Sequence, residues 1–267
     1  MSGLLAYLAT AVGLALALSA AGTASRSSAR ETDYAAVSQL SRCADCHYAD
    51  RGSPNAWHRD QWSLSPHGRA GVGCERCHGG DPETFDTLFA HRGVQRAATP
   101  TSLVHRANLP STCGRCHIGP FAAFQDSWHF QMLRSGDLRA PTCSTCHGDV
   151  EAYRLTPEGL ENQCAECHGV GRIAPRIDRP KEARVLLEGI RDARERLAKA
   201  RTLIRRRAEG GRRETLNEAA RNAEVVLVEA TDAIHRFAFD RATDYLDVAR
   251  QRIGAITFSL NGSSPAP

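Results

Sequence analysis

Aromatic, methionine and lysine side chains are scarce in this sequence, and each shortage excludes something. Aromatic residues make up 6% of the 267 residues. That is too little bulky apolar mass for an ordinary core to be filled by side chains alone. Methionine occurs only twice, as Met1 and Met132, so thioether chemistry is nearly unavailable. Lysine supplies two of the 34 basic residues, Lys181 and Lys199, and arginine the remainder. No cysteine lies outside one short motif, and that motif recurs without a constant spacing. Its first cysteines stand at 43, 74, 113, 143 and 164, which excludes a solenoid of equal repeats.

The motif is C-x-x-C-H. Its copies are Cys43-Ala44-Asp45-Cys46-His47, Cys74-Glu75-Arg76-Cys77-His78, Cys113-Gly114-Arg115-Cys116-His117, Cys143-Ser144-Thr145-Cys146-His147 and Cys164-Ala165-Glu166-Cys167-His168, and together they use all ten cysteines. Structural zinc pairs C-x-x-C units without an obligatory following histidine, and a disulfide framework would not repeat the histidine. C-x-x-C-H is instead the attachment signature of c-type haem. The two thiols add to the porphyrin vinyl groups, and the adjacent histidine takes the proximal position on the iron. Five haems are therefore expected, with His47, His78, His117, His147 and His168 as proximal ligands. The porphyrins would supply the apolar mass that the side chains lack.

The methionine shortage then bears on the sixth ligands. Methionine is the usual alternative to histidine there and raises the potential. Met132 follows His129 by one turn and reads as packing. Six histidines lie outside the motifs: His58, His67, His91, His105, His129 and His235. Five irons can all be closed by histidine with one to spare, and low potentials follow. No C-x-x-C-K unit is present to mark a catalytic haem. The formal net charge of +4 and pI near 8.6 do not indicate nucleic-acid binding. Haem propionates would offset the charge, and arginine pairs carboxylates in a bidentate fork.

Along the chain, Leu4 to Ala21 is apolar and free of charge, and the first basic residue is Arg26. This reads as an export segment over 1–24, either a cleaved signal peptide or a retained anchor, its length being close to a spanning helix. Residues 25–40 read as a polar linker. A loop-rich cytochrome c domain is expected over 41–176, with a short helix at each motif and each proximal histidine on the first turn of a helix. From Pro180 the apolar residues Leu186, Ile190, Ala193, Leu197, Ala200 and Ile204 recur at helical spacing. A second stripe runs Leu216, Ala220, Ala223, Leu227, Ala230, Ile234 and Phe237. The intervening Gly210-Gly211 suggests a long antiparallel hairpin over 177–256, the second helix reaching Ile253, followed by a flexible tail over 257–267. His235 flanks the second stripe and is a candidate distal ligand. The fold class expected is mainly α.

Several segments carry a resemblance. Ser65-Pro66-His67 ahead of Cys74-Glu75-Arg76-Cys77-His78-Gly79-Gly80-Asp81, Ala90-His91-Arg92-Gly93, Phe124-Gln125-Asp126-Ser127-Trp128-His129 and Ile234-His235-Arg236-Phe237 resemble the periplasmic multihaem cytochromes c related to the nitrite reductase and hydroxylamine oxidoreductase superfamily. The likeness spans roughly residues 40–250. It implies distal ligation by His67, His91, His129 and His235. In that family C-H-G-x-H often supplies a further ligand, but here Val150 stands at that place, so His58 or His105 would have to substitute.

The expected function is one-electron transfer between respiratory partners outside the cytoplasm, in the periplasm. The partners expected are a quinol dehydrogenase or other cytochromes, with no nucleic acid. The N-terminal segment could anchor the chain, and the hairpin could serve a dimer. The alternative is a reductase of a small nitrogen or sulfur oxyanion at one open haem iron.

Overall fold

The computed structural model describes residues 42–49, 56–150, 153 and 155–262. The apolar Leu4–Ala21 segment and the 25–40 linker lie outside them. Among the described residues the fold is mainly α, as expected, with no strand, and no helix is long and apolar enough to cross a membrane. The chain divides into two compact units. One comprises residues 1–95 with 150–152, the other 96–149 with 153–267. The first two motifs fall in the N-terminal unit. The other three share the C-terminal unit with the long helices, so the division falls within the segment expected over 41–176.

The N-terminal unit carries short helices α1 (Arg42–Ala49), α2 (Ala56–Leu64), α3 (Pro66–Arg69), α4 (Glu75–His78) and α5 (Thr87–Ala90). Local chemistry sets their ends. Ser65 caps α3, its hydroxyl accepting from the Gly68 amide at 3.1 Å, with Pro66 in the first turn. Asp86 caps α5 through Leu88 and Phe89. Among the described residues, the protein core of this unit is Ala44 and Trp62, with Tyr48, Cys74 and Val150 packed on them. The Trp62 indole donates to the Val72 carbonyl at 2.9 Å.

The C-terminal unit holds α6 (Leu109–Gly114), α7 (Ile118–Gln125), α8 (Trp128–Arg134), α9 (Cys143–His147), α10 (Pro157–His168), α11 (Arg179–Arg207), α12 (Gly210–His235) and α13 (Phe239–Asn261). The last three form a bundle whose seam is rich in alanine and leucine. The stripe of α11 is buried along its length, Ile190 at 1% and Ile204 at 0% exposure. Helices approach closely where side chains are small. A Cβ at Gly189 of α11 would stand 2.6 Å from Leu246 Cδ2 of α13.

The expected hairpin is present as α11 and α12, but a third helix joins it. The second helix does not run on to Ile253; it stops at His235. Phe237 takes a left-handed backbone, φ 58°, and α13 returns along the other two. Residues 257–261, expected in a tail, are the last turns of α13, with Leu260 buried. The reason is that apolar periodicity resumes at Phe239, Ala242, Leu246, Ala249, Ile253, Ile256 and Leu260. The α11–α12 pair leaves an apolar groove, and this third stripe fills it.

A short helix does accompany each motif, but three of the proximal histidines end their helices instead of starting them. His78, His147 and His168 are the last residues of α4, α9 and α10. For the first two, the following glycine stops the helix. Gly79 and Gly148 adopt φ near 77° and 78°, a conformation that a side chain disfavours. Only His117 stands just ahead of a helix, α7.

Candidate haem-binding sites

His47, His78, His147 and His168 each face a second histidine within their own unit. In the N-terminal unit the ring centroids of His47 and His91 are 5.9 Å apart, and those of His58 and His78 are also 5.9 Å apart. In the C-terminal unit the separations are 6.1 Å for His129–His168 and 6.4 Å for His147–His235. These gaps are too wide for direct hydrogen bonding between rings and suit a metal between them. An imidazole nitrogen lies about 2 Å from its metal, and each centroid about 1 Å further, so two trans imidazoles on one iron sit about 6 Å apart.

Local structure sets the position of several histidines outside the motifs. In both Ser65-Pro66-His67 and Ser127-Trp128-His129, serine is the N-cap and histidine the second helical residue. The buried Ser127 hydroxyl accepts from the Phe130 amide at 3.1 Å. His91 is the C-cap of α5, and His235 the last residue of α12.

The tautomers are set by the backbone. Nδ1 of His91 contacts the Thr87 carbonyl at 2.8 Å, and Nδ1 of His235 the Thr231 carbonyl at 2.9 Å. His168 Nδ1 contacts the Pro175 carbonyl closely, and His147 Nδ1 reaches Tyr153 more distantly, at 3.5 Å. A carbonyl can only accept, so Nδ1 carries the proton and Nε2 is left bare for a metal. His105 is the opposite case. Its Nδ1 accepts from the Ala107 amide at 3.3 Å, which puts the proton on Nε2. Burial also keeps several rings in the neutral, metal-binding form. It lowers His78, with His58 adding to the effect, and it lowers His235, partly opposed by the Thr231 carbonyl and aided by His147. His129 is held down to about 4 by burial and by His168.

The thiols of the C-terminal unit converge. The side chains of Cys113 and Cys143, from different motifs, hydrogen-bond one another, which favours the Cys113 thiolate and brings it to about 7. Burial raises Cys146 to about 11. Burial first, then the neighbouring Cys146 and Cys167, raises Cys164 to about 12. All ten cysteines are free of disulfides. The attachment points of the third, fourth and fifth motifs thus lie side by side.

The surroundings fit a porphyrin. Among the described residues of the N-terminal unit only Ala44 and Trp62 form a buried apolar cluster, and large apolar side chains near the motifs are exposed: Leu88 at 79%, Trp128 at 72% and Ile118 at 70%. Such surface wants a cover. On α2, next to His58, the Arg59 guanidinium lies over the Tyr48 ring at 5.0 Å, while its Nε and Nη1 are buried with no hydrogen-bond partner. Buried donors of this kind call for an acceptor, and a propionate carboxylate matches the arginine fork.

Sequence reasoning named every histidine in these pairs. It did not find Arg59, one arginine among many, nor Phe237 as anything beyond a stripe residue. Phe237 lies 4.2 Å from His129, ring centroid to ring centroid. Its positive φ carries no signature in the sequence.

Known proteins place this geometry in context. The family described as cytochrome c554 and c-prime matches residues 14–79, and that described as cytochrome c7 and related cytochrome c matches residues 98–169. The C-type polyheme cytochrome OmcB of Geobacter sulfurreducens is 34% identical over 119 residues, 40% of this chain and 13% of the relative. OmcC of the same species is 30% identical over 93 residues, 33% of this chain and 11% of the relative. The chain therefore spans only about an eighth of the length of these curated relatives. No solved structure matches. The two family matches and the polyheme relatives identify the chain as similar to multihaem c-type cytochromes, whose haem is covalently bound.

Proposed function

We propose that this chain binds five c-type haems and transfers electrons one at a time between redox proteins outside the cytoplasm. The observation that carries the reading is the set of four histidine pairs, each about one iron-width apart, each joining a motif histidine to a second one. The axial pairs proposed are His47 with His91, His78 with His58, His147 with His235 and His168 with His129. His117 is proximal to the fifth iron, and a histidine outside these four pairs would close its sixth position.

Haem, when bound, supplies a reversible one-electron couple. The residues of the chain do the rest. The thiols would hold each porphyrin, the backbone carbonyls fix the imidazole tautomers, and the paired neutral rings would leave no open position for a substrate on the irons they hold. The adjoining thiols of the third to fifth motifs would seat their haems close together, which would favour transfer from one to the next. The similarity to polyheme cytochromes supports this reading, as does the shortage of methionine, which points to low potentials. We extend the proposal to kinship with the nitrite reductase and hydroxylamine oxidoreductase superfamily, to export by the apolar Leu4–Ala21 segment, and to a quinol dehydrogenase or another cytochrome as partner.

The test is a low-temperature electron paramagnetic resonance spectrum of the oxidised protein, paired with a redox titration. Wholly low-spin iron with most midpoints well below zero against hydrogen is the expected result. A stoichiometric high-spin signal, with carbon monoxide binding to the untreated reduced protein, would overturn it. It would favour instead a reductase of a small nitrogen or sulfur oxyanion at one open iron.

A further inference from the structure

Phe237 is a bulky residue held at φ 58°, a strained backbone region that such residues avoid. Such strain persists only where the surroundings over-determine it. Its position explains what the bend achieves. Phe237 follows the end of α12 by two residues, and its ring is edge-on to His129 at 4.2 Å, with interplanar angle 75°. It adjoins Phe124 at 6.3 Å and Phe239 at 6.5 Å, and Phe124 meets Phe130 at 5.5 Å. One phenylalanine ring thus meets the imidazole, and further aromatic rings back it.

The consequence appears at Nδ1 of His129. That atom is fully buried and has no hydrogen-bond partner. His91, His147, His168 and His235 each place Nδ1 against a backbone carbonyl. A hydrogen bond from the far nitrogen raises the basicity of an imidazole ligand. A more basic ligand stabilises ferric iron over ferrous and lowers the potential. Removing the acceptor does the reverse, and a dry apolar neighbour adds to it by disfavouring the extra charge of the ferric state.

We infer that Phe237 is a positioning residue that denies His129 a hydrogen-bond acceptor and so holds the potential of the iron between His129 and His168 above the value it would otherwise have. The left-handed backbone aims the ring across the bend, where a helical continuation would carry it away along α12. The inference rests on the assignment of His129 as an axial ligand.

The test uses the full haem-loaded protein. Phe237→Asn keeps a residue that tolerates the left-handed region and offers an amide oxygen to Nδ1. Phe237→Gly relieves the backbone and admits water. Both should shift one midpoint of the redox titration downward, with haem content by intact mass unchanged and the iron still low-spin. Phe237→Leu keeps the site dry and should leave that midpoint in place. Unchanged midpoints in the Asn and Gly variants, or an equal shift in all three, would overturn the inference. Should the variants fail to load haem, the reduced wild-type protein decides by nuclear magnetic resonance. The His129 Nδ1 proton should be less deshielded than that of His235, which is bonded to Thr231. The reverse order would sink the idea. His129→Ala tests the underlying assignment separately. If it opens no iron to carbon monoxide, the ligand assignment fails; if it does and the Asn variant shifts nothing, only the role of Phe237 fails.

Discussion

His147 of α9 and His235 of α12 face each other with ring centroids 6.4 Å apart and planes only 16° from parallel. They are far apart in sequence. The bundle brings them together, because α12 ends at His235 and Arg236 beside it reaches Asp126 at 3.5 Å. If the pair holds one iron, His235→Ala leaves that iron five-coordinate or water-bound. A high-spin signal and carbon monoxide binding should appear, with haem content unchanged. A variant that stays wholly low-spin would show that His235 is no ligand.

The other three pairs are nearly perpendicular, at 72° for His47–His91, 75° for His58–His78 and 77° for His129–His168. Perpendicular imidazoles leave two iron d orbitals nearly degenerate, and parallel ones split them. The oxidised protein should therefore give strongly anisotropic low-spin signals for three irons and a rhombic one for the His147–His235 iron. The rhombic signal should be the one lost in His235→Ala. Uniformly rhombic spectra would contradict the geometry.

The mass of the mature protein should exceed its polypeptide by five haems, since every cysteine falls in a motif. Haem that can be extracted with acid acetone, or a lower count, would refute covalent attachment at all five.

Arg59→Gln should lower the midpoint of one haem in the N-terminal unit, because it removes a positive charge that opposes ferric iron. Arg59→Lys keeps the charge and should move it less. Full haem content with unchanged potentials would mean that the stacking on Tyr48 is all that Arg59 does.

Ile190 is 1% exposed in the seam of the bundle. Ile190→Ala should cost about 2–5 kcal/mol, read as earlier loss of helical circular dichroism on heating. The same change at exposed Val185 should cost little. Equal effects at both positions would argue against the three-helix packing.

Much of this protein is written locally. Five C-x-x-C-H motifs specify the cofactor because two thiols and a ligand at fixed spacing answer to one porphyrin and need no tertiary information. The S-x-H segments are equally legible, serine capping a helix and placing histidine in its first turn. The apolar periods of α11 and α12 also show in one dimension, since 3.6-residue spacing is a property of the chain.

Other features are decided only by packing. Where α12 ends was not legible, because the stripe continues in phase through Ile234 and Phe237, and the break at Phe237 depends on what its ring meets across the bend. The third helix was missed for a related reason: the groove that α13 fills exists only once α11 and α12 have packed. Which histidine faces which, and at what angle, depends on contacts between residues distant in sequence. Six non-motif histidines can be shared among five irons in many ways. A pairing such as His147 with His235 exists only because the folded bundle brings the end of α12 within an iron's width of α9.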